Sequence, residues 1–197
     1  MKALLIKDII MIWKQMKLML ALILVFSVVS YNYQNVFAVV YAALIPYIAL
    51  AYDERSKWSR MASMLPYSAR DIVWSKYVLG FVFCTATLIL TVTIRFAVST
   101  VRSEAFDVLL LVLGYIGAIL IMDISLPLMF RFGVEKGRAI MAFIVFLICG
   151  STAAVVAIPQ MPNTNIFIAV LSAFAVTIVL TALSVWISSK LYLKREN

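Results

Sequence analysis

The sequence predicts an all-α integral membrane protein with six transmembrane helices, an N-terminal amphipathic interface helix and a short cytoplasmic helix between the second and third spans. Composition is the first ground: 65% of the 197 residues are apolar, 13% are charged and the mean hydropathy is +1.06, too little polar surface for a soluble globule. The apolar residues also fall in runs of spanning length. A bilayer core of about 30 Å needs roughly 20 such residues per helix, and six segments meet that need, at about 17–33, 36–52, 77–99, 106–130, 139–158 and 166–189. The third ground is the placement of charge. Of the 17 Lys and Arg residues, four lie at the N-terminus (Lys2, Lys7, Lys14 and Lys17), five lie in 53–76, three in 131–138 and three in 190–197. The remaining two are Arg95 and Arg102, and 31–35 and 159–165 have none. By the positive-inside rule, both termini and the 53–76 and 131–138 loops are expected on the cytoplasmic side.

Taken in order, Met1 to Lys17 places Leu5, Ile9, Ile12, Trp13 and Met16 on one helical face and Lys7, Asp8, Lys14 and Gln15 on the other. A helix lying in the inner headgroup layer fits this pattern, with lysines toward anionic lipid. Amphipathicity alone does not separate anchoring from contact with a cytoplasmic partner. No small-residue cleavage site follows the first apolar run, so this segment is expected to be retained.

Spans one and two are short and are joined by Tyr31-Asn32-Tyr33-Gln34-Asn35, uncharged, with two tyrosines suited to the headgroup level. A tight outer turn is expected there, with one long bent helix as the alternative.

The 53–76 loop carries 8 of the chain's 26 charged residues, interleaved with Trp58, Met61, Met64, Leu65 and Trp74. Ser56 can begin a short helix in which Trp58, Met61, Met64 and Leu65 recur at three- and four-residue spacing, and Pro66 ends it. Ser68-Ala69-Arg70-Asp71 then has the form of a capping box, which starts span three in the cytosol. A connection needs only a few residues, so the extra length and the exposed apolar edge point to a contact with something outside the bilayer. The alternative is a solvated connection folded on the membrane surface.

Within span four, Asp123 is an ionisable group at membrane depth, eight residues before Arg131, or roughly 12 Å from the cytoplasmic end. Pro127 cannot donate to the Asp123 carbonyl and should bend the helix there. Two readings stay open: a polar hinge on a translocation path, or an aspartate tied to a Ser, Thr or Arg of a neighbouring helix. Arg95 is expected to snorkel to the outer headgroups. Thr85, Thr87, Thr91 and Thr93, with Ser172, Thr177, Thr181, Ser184 and Ser188, line a path or hydrogen-bond within the bundle. Gly114/Ala118 and Gly150/Ala154 have the spacing of close helix contacts.

Several chemistries are excluded or unsupported. The chain has no histidine, which removes metalloprotease motifs and Ser-His-Asp catalysis. No P-loop sequence occurs; Gly133-Val134-Glu135-Lys136-Gly137-Arg138 lacks both the loop length and the following Ser or Thr. Cys84 and Cys149 have no metal-ligand or disulfide-framework spacing. The net charge of +8 is distributed between apolar runs, so it reports orientation rather than nucleic-acid binding. The chain is expected to be a single, non-catalytic membrane domain over 1–197.

Ala51-Tyr52-Asp53-Glu54-Arg55-Ser56-Lys57-Trp58, followed by Leu65-Pro66-Tyr67-Ser68-Ala69-Arg70-Asp71-Ile72-Val73-Trp74-Ser75-Lys76-Tyr77, resembles the corresponding loop of small type-2 ATP-binding-cassette (ABC) exporter permeases, including the bacterial phenol-soluble-modulin exporter permeases. The likeness is sharp over about 25 residues and loose over the remainder. It implies a permease subunit in a bacterial plasma membrane that pairs with a second permease chain, identical or related. It also implies two copies of a separate cytoplasmic ATPase that bind the ATP and Mg, with no cofactor in this chain. The region from Asp53 to Pro66 would then be the coupling helix, with Asp53, Glu54, Arg55, Trp58, Arg60, Met61, Met64 and Leu65 at the ATPase contact. An amphipathic peptide, hydrophobic antibiotic or lipid is the expected cargo. The alternative function is a non-transport assembly or sensor protein whose loop recruits a soluble regulator; a stand-alone carrier would need internal repeats, which are not evident.

Overall fold

The computed structural model describes residues 2–15, 17–28, 34–62, 64, 68–102, 108–137, 139 and 166–196. These residues are helical almost throughout: α1 Lys2–Gln15, α2 Lys17–Val28, α3 Gln34–Ala43, α4 Ile45–Arg55, α5 Trp58–Ala62, α6 Ala69–Arg102, α7 Val108–Phe132 and α8 Ile166–Glu196. Four stretches are long and apolar enough to cross a membrane: Phe37–Arg55, Arg70–Thr100, Leu111–Phe132 and Val170–Tyr192. The span expected at 139–158 lies outside the described residues except for Ala139. The turn expected at Tyr31–Asn35 is described only from Gln34 onward, where α3 has already begun.

α2 packs against α3, and Ile23 shares a core cluster with Val39, Ala42 and Ala43. These are therefore two helices folded back on one another, not the single bent helix that the sequence left open. α3 and α4 together form one apolar stretch, interrupted at Leu44. The cause is Pro46, which stands in the first turn of α4 and has no N–H to donate.

α6 is the axis of the bundle, in contact with α1, α2, α3, α4, α7 and α8. Its 34 residues make a rod of about 51 Å, longer than the roughly 30 Å hydrocarbon core. It starts at Ala69, before the expected span boundary at Tyr77, so its first turns belong to the polar loop. Close helix approach depends on small residues. A methyl group added at Gly80 would run into the Met122 sulfur and lie 3.1 Å from Pro46 Cγ, so this glycine is where α6 meets both α7 and α4. Ala38, Ala42, Ala43, Ala49 and Ala118 are all buried in the same way. Gly114 is also buried, whereas Gly150 and Ala154 lie outside the described residues.

The polarity of α8 is inverted relative to a helix of a soluble protein. Thr177, Ser184 and Ser188 are buried, while among the described residues Leu171, Phe174, Val176, Ile178, Val179, Leu183 and Ile187 are exposed. Lipid as solvent explains this arrangement, since apolar side chains lose nothing by facing hydrocarbon and hydroxyl groups gain by finding partners inside. The threonines resolve as local bonds: Thr85, Thr87, Thr91, Thr93 and Thr181 each donate to a carbonyl three or four residues earlier in their own helix. Arg95 is buried, not turned out toward the headgroups as expected.

Candidate functional site

At one end of the bundle, three helices bring together a group of charges that the sequence does not announce as a unit. Lys76 stands on α6 in the turn after Ile72 and Val73, and is only 1% exposed. Its ammonium donates to both oxygens of Asp8 on α1, at 2.9 and 2.8 Å, and to Asp53 Oδ2 on α4 at 2.5 Å. Lys7 Nζ closes the ring from the other side, 2.6 Å from Asp53 Oδ1 and 3.1 Å from Asp8 Oδ1. Two ammoniums and two carboxylates thus alternate with no net charge. Each of the three donors of Lys76 is used, as a buried ammonium requires if its loss of hydration is to be offset.

Asp8 is 0% exposed, which corrects the expected arrangement of the N-terminal helix. The buried stripe is Leu4, Asp8 and Ile12, at four-residue spacing, and the exposed side carries Ile6, Ile9, Ile10 and Trp13. The helix turns this way because Lys76 supplies a stronger partner for Asp8 than water or lipid headgroups would. The signal was present as an acid sharing the Leu4/Ile12 face, although a two-face reading assigns any carboxylate to the solvent side.

The loop after α4 differs from expectation in its start. Ser56 caps the C-terminus of α4 instead of opening a helix: its N–H donates to Tyr52 O at 2.9 Å. Lys57 then adopts φ 55°, a left-handed conformation that terminates α4 and redirects the chain into α5. Trp58, at the start of α5, faces inward. It packs with the cluster of Leu4, Ala62 and Ile72, and the Lys7 ammonium lies 4.2 Å from its ring centroid.

The residues expected at a contact surface therefore divide. Asp53 is buried at 8% exposure and Trp58 is half-buried, both facing the charge cluster, whereas Met61 and Met64 are 59% and 85% exposed. Arg55 is exposed, and Glu54 accepts from the Val134 N–H at 2.7 Å, which ties this loop to the turn after α7. Arg60 is part of α5, but its side chain, like Leu65 and Pro66, lies outside the described residues. At the start of α6 the Asp71 N–H donates to Ser68 Oγ at 3.2 Å, the Ser68 N–H to Asp71 Oδ2 at 3.4 Å, and the Ser68 hydroxyl to the same oxygen at 2.8 Å. This reciprocal exchange satisfies donors that the first helical turn leaves open.

Deeper in the bundle, α7 runs through Pro127 without ending. The carbonyl of Asp123 that Pro127 cannot serve accepts the Ser184 hydroxyl of α8 at 2.6 Å, so a neighbouring helix satisfies the freed group, as a membrane interior demands. Asp123 is thus tied to a serine of a neighbouring helix, but through its main chain. Its carboxylate oxygens, in a residue 5% exposed, have no hydrogen-bond partner among the described residues.

Comparison with protein families adds the decisive observation: the family described as ABC-2 family transporter protein matches residues 3–193, nearly the whole chain. The chain belongs to the ABC-2 transporter family. It is accordingly a multi-pass membrane permease component of an ABC transporter, a transporter subunit whose family implies a partner ATPase. Comparison with curated proteins and with solved structures gives no match. In this ABC-2 permease the charge cluster joins α1, α4 and α6 directly behind the segment with the exposed methionines.

Proposed function

We propose that this ABC-2 permease is the membrane half of a bacterial exporter similar to the phenol-soluble-modulin exporter permeases, powered by ATP and Mg bound in a separate ATPase. Six spans cross the plasma membrane with both termini cytoplasmic, and two permease chains, identical or related, form the transmembrane unit. α1 lies at the inner surface with Ile6, Ile9, Ile10 and Trp13 toward lipid, and the cargo is an amphipathic or hydrophobic molecule moved outward.

The observation that carries the reading is continuity. Met61 and Met64 offer a soft, adaptable apolar surface to a partner, and Trp58, in the same short helix as Met61, joins that surface to Lys7. Lys7 leads to Asp53 and Lys76, and so to the end of α4 and the start of α6. A push on α5 is carried into two spans at once, because salt-bridged and packed elements move together rather than deform. Asp53 and Trp58 are transmitting residues here; Met61, Met64, Glu54 and Arg55 form or border the docking edge, and the ATPase contact is assigned to Leu65 and Arg60 as well.

The test is purification with the product of a neighbouring reading frame. A P-loop ATPase that co-purifies, and whose hydrolysis rate changes when the permease is present, is the expected result. Recovery instead of a kinase or other regulator, with no ATPase, would favour the assembly or sensor reading and contradict this one.

A further inference from the structure

The buried carboxylate of Asp123 is the one feature of the described bundle whose chemistry is left incomplete. A carboxylate inside a membrane protein normally has a cation, several donors or water beside it, because its desolvation is costly. Here neither oxygen has a hydrogen-bond partner among the described residues.

The hydroxyl groups nearby do not fill the need. Ser184 Oγ gives its proton to the Asp123 carbonyl at 2.6 Å. In the 2.5 Å contact between Ser184 and Tyr77, Ser184 must then be the acceptor and Tyr77 the donor. With the tyrosine proton spent, Ser188 donates to Tyr77 across 3.0 Å. Every proton of the trio is thus committed, one to the Asp123 carbonyl and two within the trio, so none remains for the carboxylate. What the trio keeps is unused lone pairs on buried hydroxyl oxygens.

Nor does the sequence hold a cation in reserve. Residues 139–165 contain no Lys or Arg, and within the six predicted spans the other basic residues are Lys17 at the first span's edge and Arg95, 28 positions before Asp123. The surroundings are otherwise apolar: Tyr77 belongs to one buried cluster with Val73, Met122, Leu126 and Phe130. A carboxylate lacking a cation, hydroxyl oxygens able only to accept, and an apolar wall together complement a donor-only cationic head on a hydrocarbon body. A primary ammonium, compact and with three N–H donors, has that chemistry.

We propose that Asp123 is the binding residue for the cationic amine of an amphipathic substrate, with Tyr77 and Ser188 presenting acceptor oxygens beside it. The inference rests on the transport reading above and narrows it to amphipathic amines. Its test uses the full permease with its ATPase in vesicles, comparing dodecylamine with the uncharged N-dodecylacetamide as probes of ATP hydrolysis. The wild-type complex should respond to dodecylamine at a concentration at least tenfold lower than Asp123→Asn does, with Asp123→Glu restoring most of the difference and N-dodecylacetamide acting equally on all three. Asp123→Asn keeps the side chain's volume almost constant, so folding should survive; elution of the variant as a monodisperse complex with its ATPase verifies this. Equal dodecylamine responses in wild type and Asp123→Asn, both recovered as monodisperse complexes, would overturn the amine site and leave the transport reading standing. Basal hydrolysis indifferent to the permease would instead overturn the transport reading itself.

Discussion

Lys76→Met is expected to destabilise the permease by about 3–5 kcal/mol, the cost of removing one partner from a buried charge group. The substitution leaves Asp8 and Asp53, both buried, sharing Lys7 alone. Lys7 already contacts both carboxylates and cannot supply a second positive charge. Methionine preserves most of the lysine stem, so lost packing is a minor part of the effect. The informative variant is the double one, Lys76→Met with Asp8→Asn, which restores neutrality and leaves the Lys7–Asp53 pair intact. It should be more stable than either single variant, as strongly coupled neighbours require. Thermal unfolding of the purified protein, followed as loss of the monodisperse species, measures all three. If the double variant is no better than Lys76→Met, the cluster is not acting as a coupled unit.

The second large effect is functional. Met61→Ser together with Met64→Ser should reduce ATP-driven transport at least tenfold, equivalent to about 1.4 kcal/mol of lost contact energy, while leaving thermal stability nearly unchanged. Both side chains are exposed, and surface changes away from packed features usually stay within about 0.5 kcal/mol. Trp58→Ala should behave differently, lowering stability as well, because its ring lies against Lys7 and packs with Leu4, Ala62 and Ile72. Transport and melting temperature measured on the same preparations separate a docking surface from a structural one.

Four long apolar helices and the membrane class of the chain were legible in the sequence because they depend on composition over many residues, where single errors cancel. So was the Ser68/Asp71 cap, whose chemistry is local and whose partners are three residues apart. Legibility ended where a residue's partner is distant in the chain. Asp8 and Lys76 are 68 positions apart, and nothing in either neighbourhood distinguishes a buried acid from a solvated one. The same limit applied to Arg95, expected at the surface and found buried. Ser56 illustrates a second kind of difference. Serine suits a helix N-terminus by propensity, but the left-handed turn at Lys57 places Ser56 at the end of α4. At Asp123 the freed carbonyl followed from Pro127 by position alone, while its donor, Ser184, could come only from the packing of α7 on α8.

Site-specific cross-linking tests the central claim most directly. In a permease with Cys84 and Cys149 replaced by Ala, a thiol introduced as Met61→Cys or Met64→Cys should cross-link to the partner ATPase, and one introduced as Ile89→Cys, an exposed position within the α6 span, should not. Cross-linking that grows or fades with ATP would show the contact responding to the power stroke. A complex that hydrolyses ATP in a permease-dependent manner yet gives no cross-link at either 61 or 64 would contradict the assignment of this segment as the point where the ATPase drives the membrane domain.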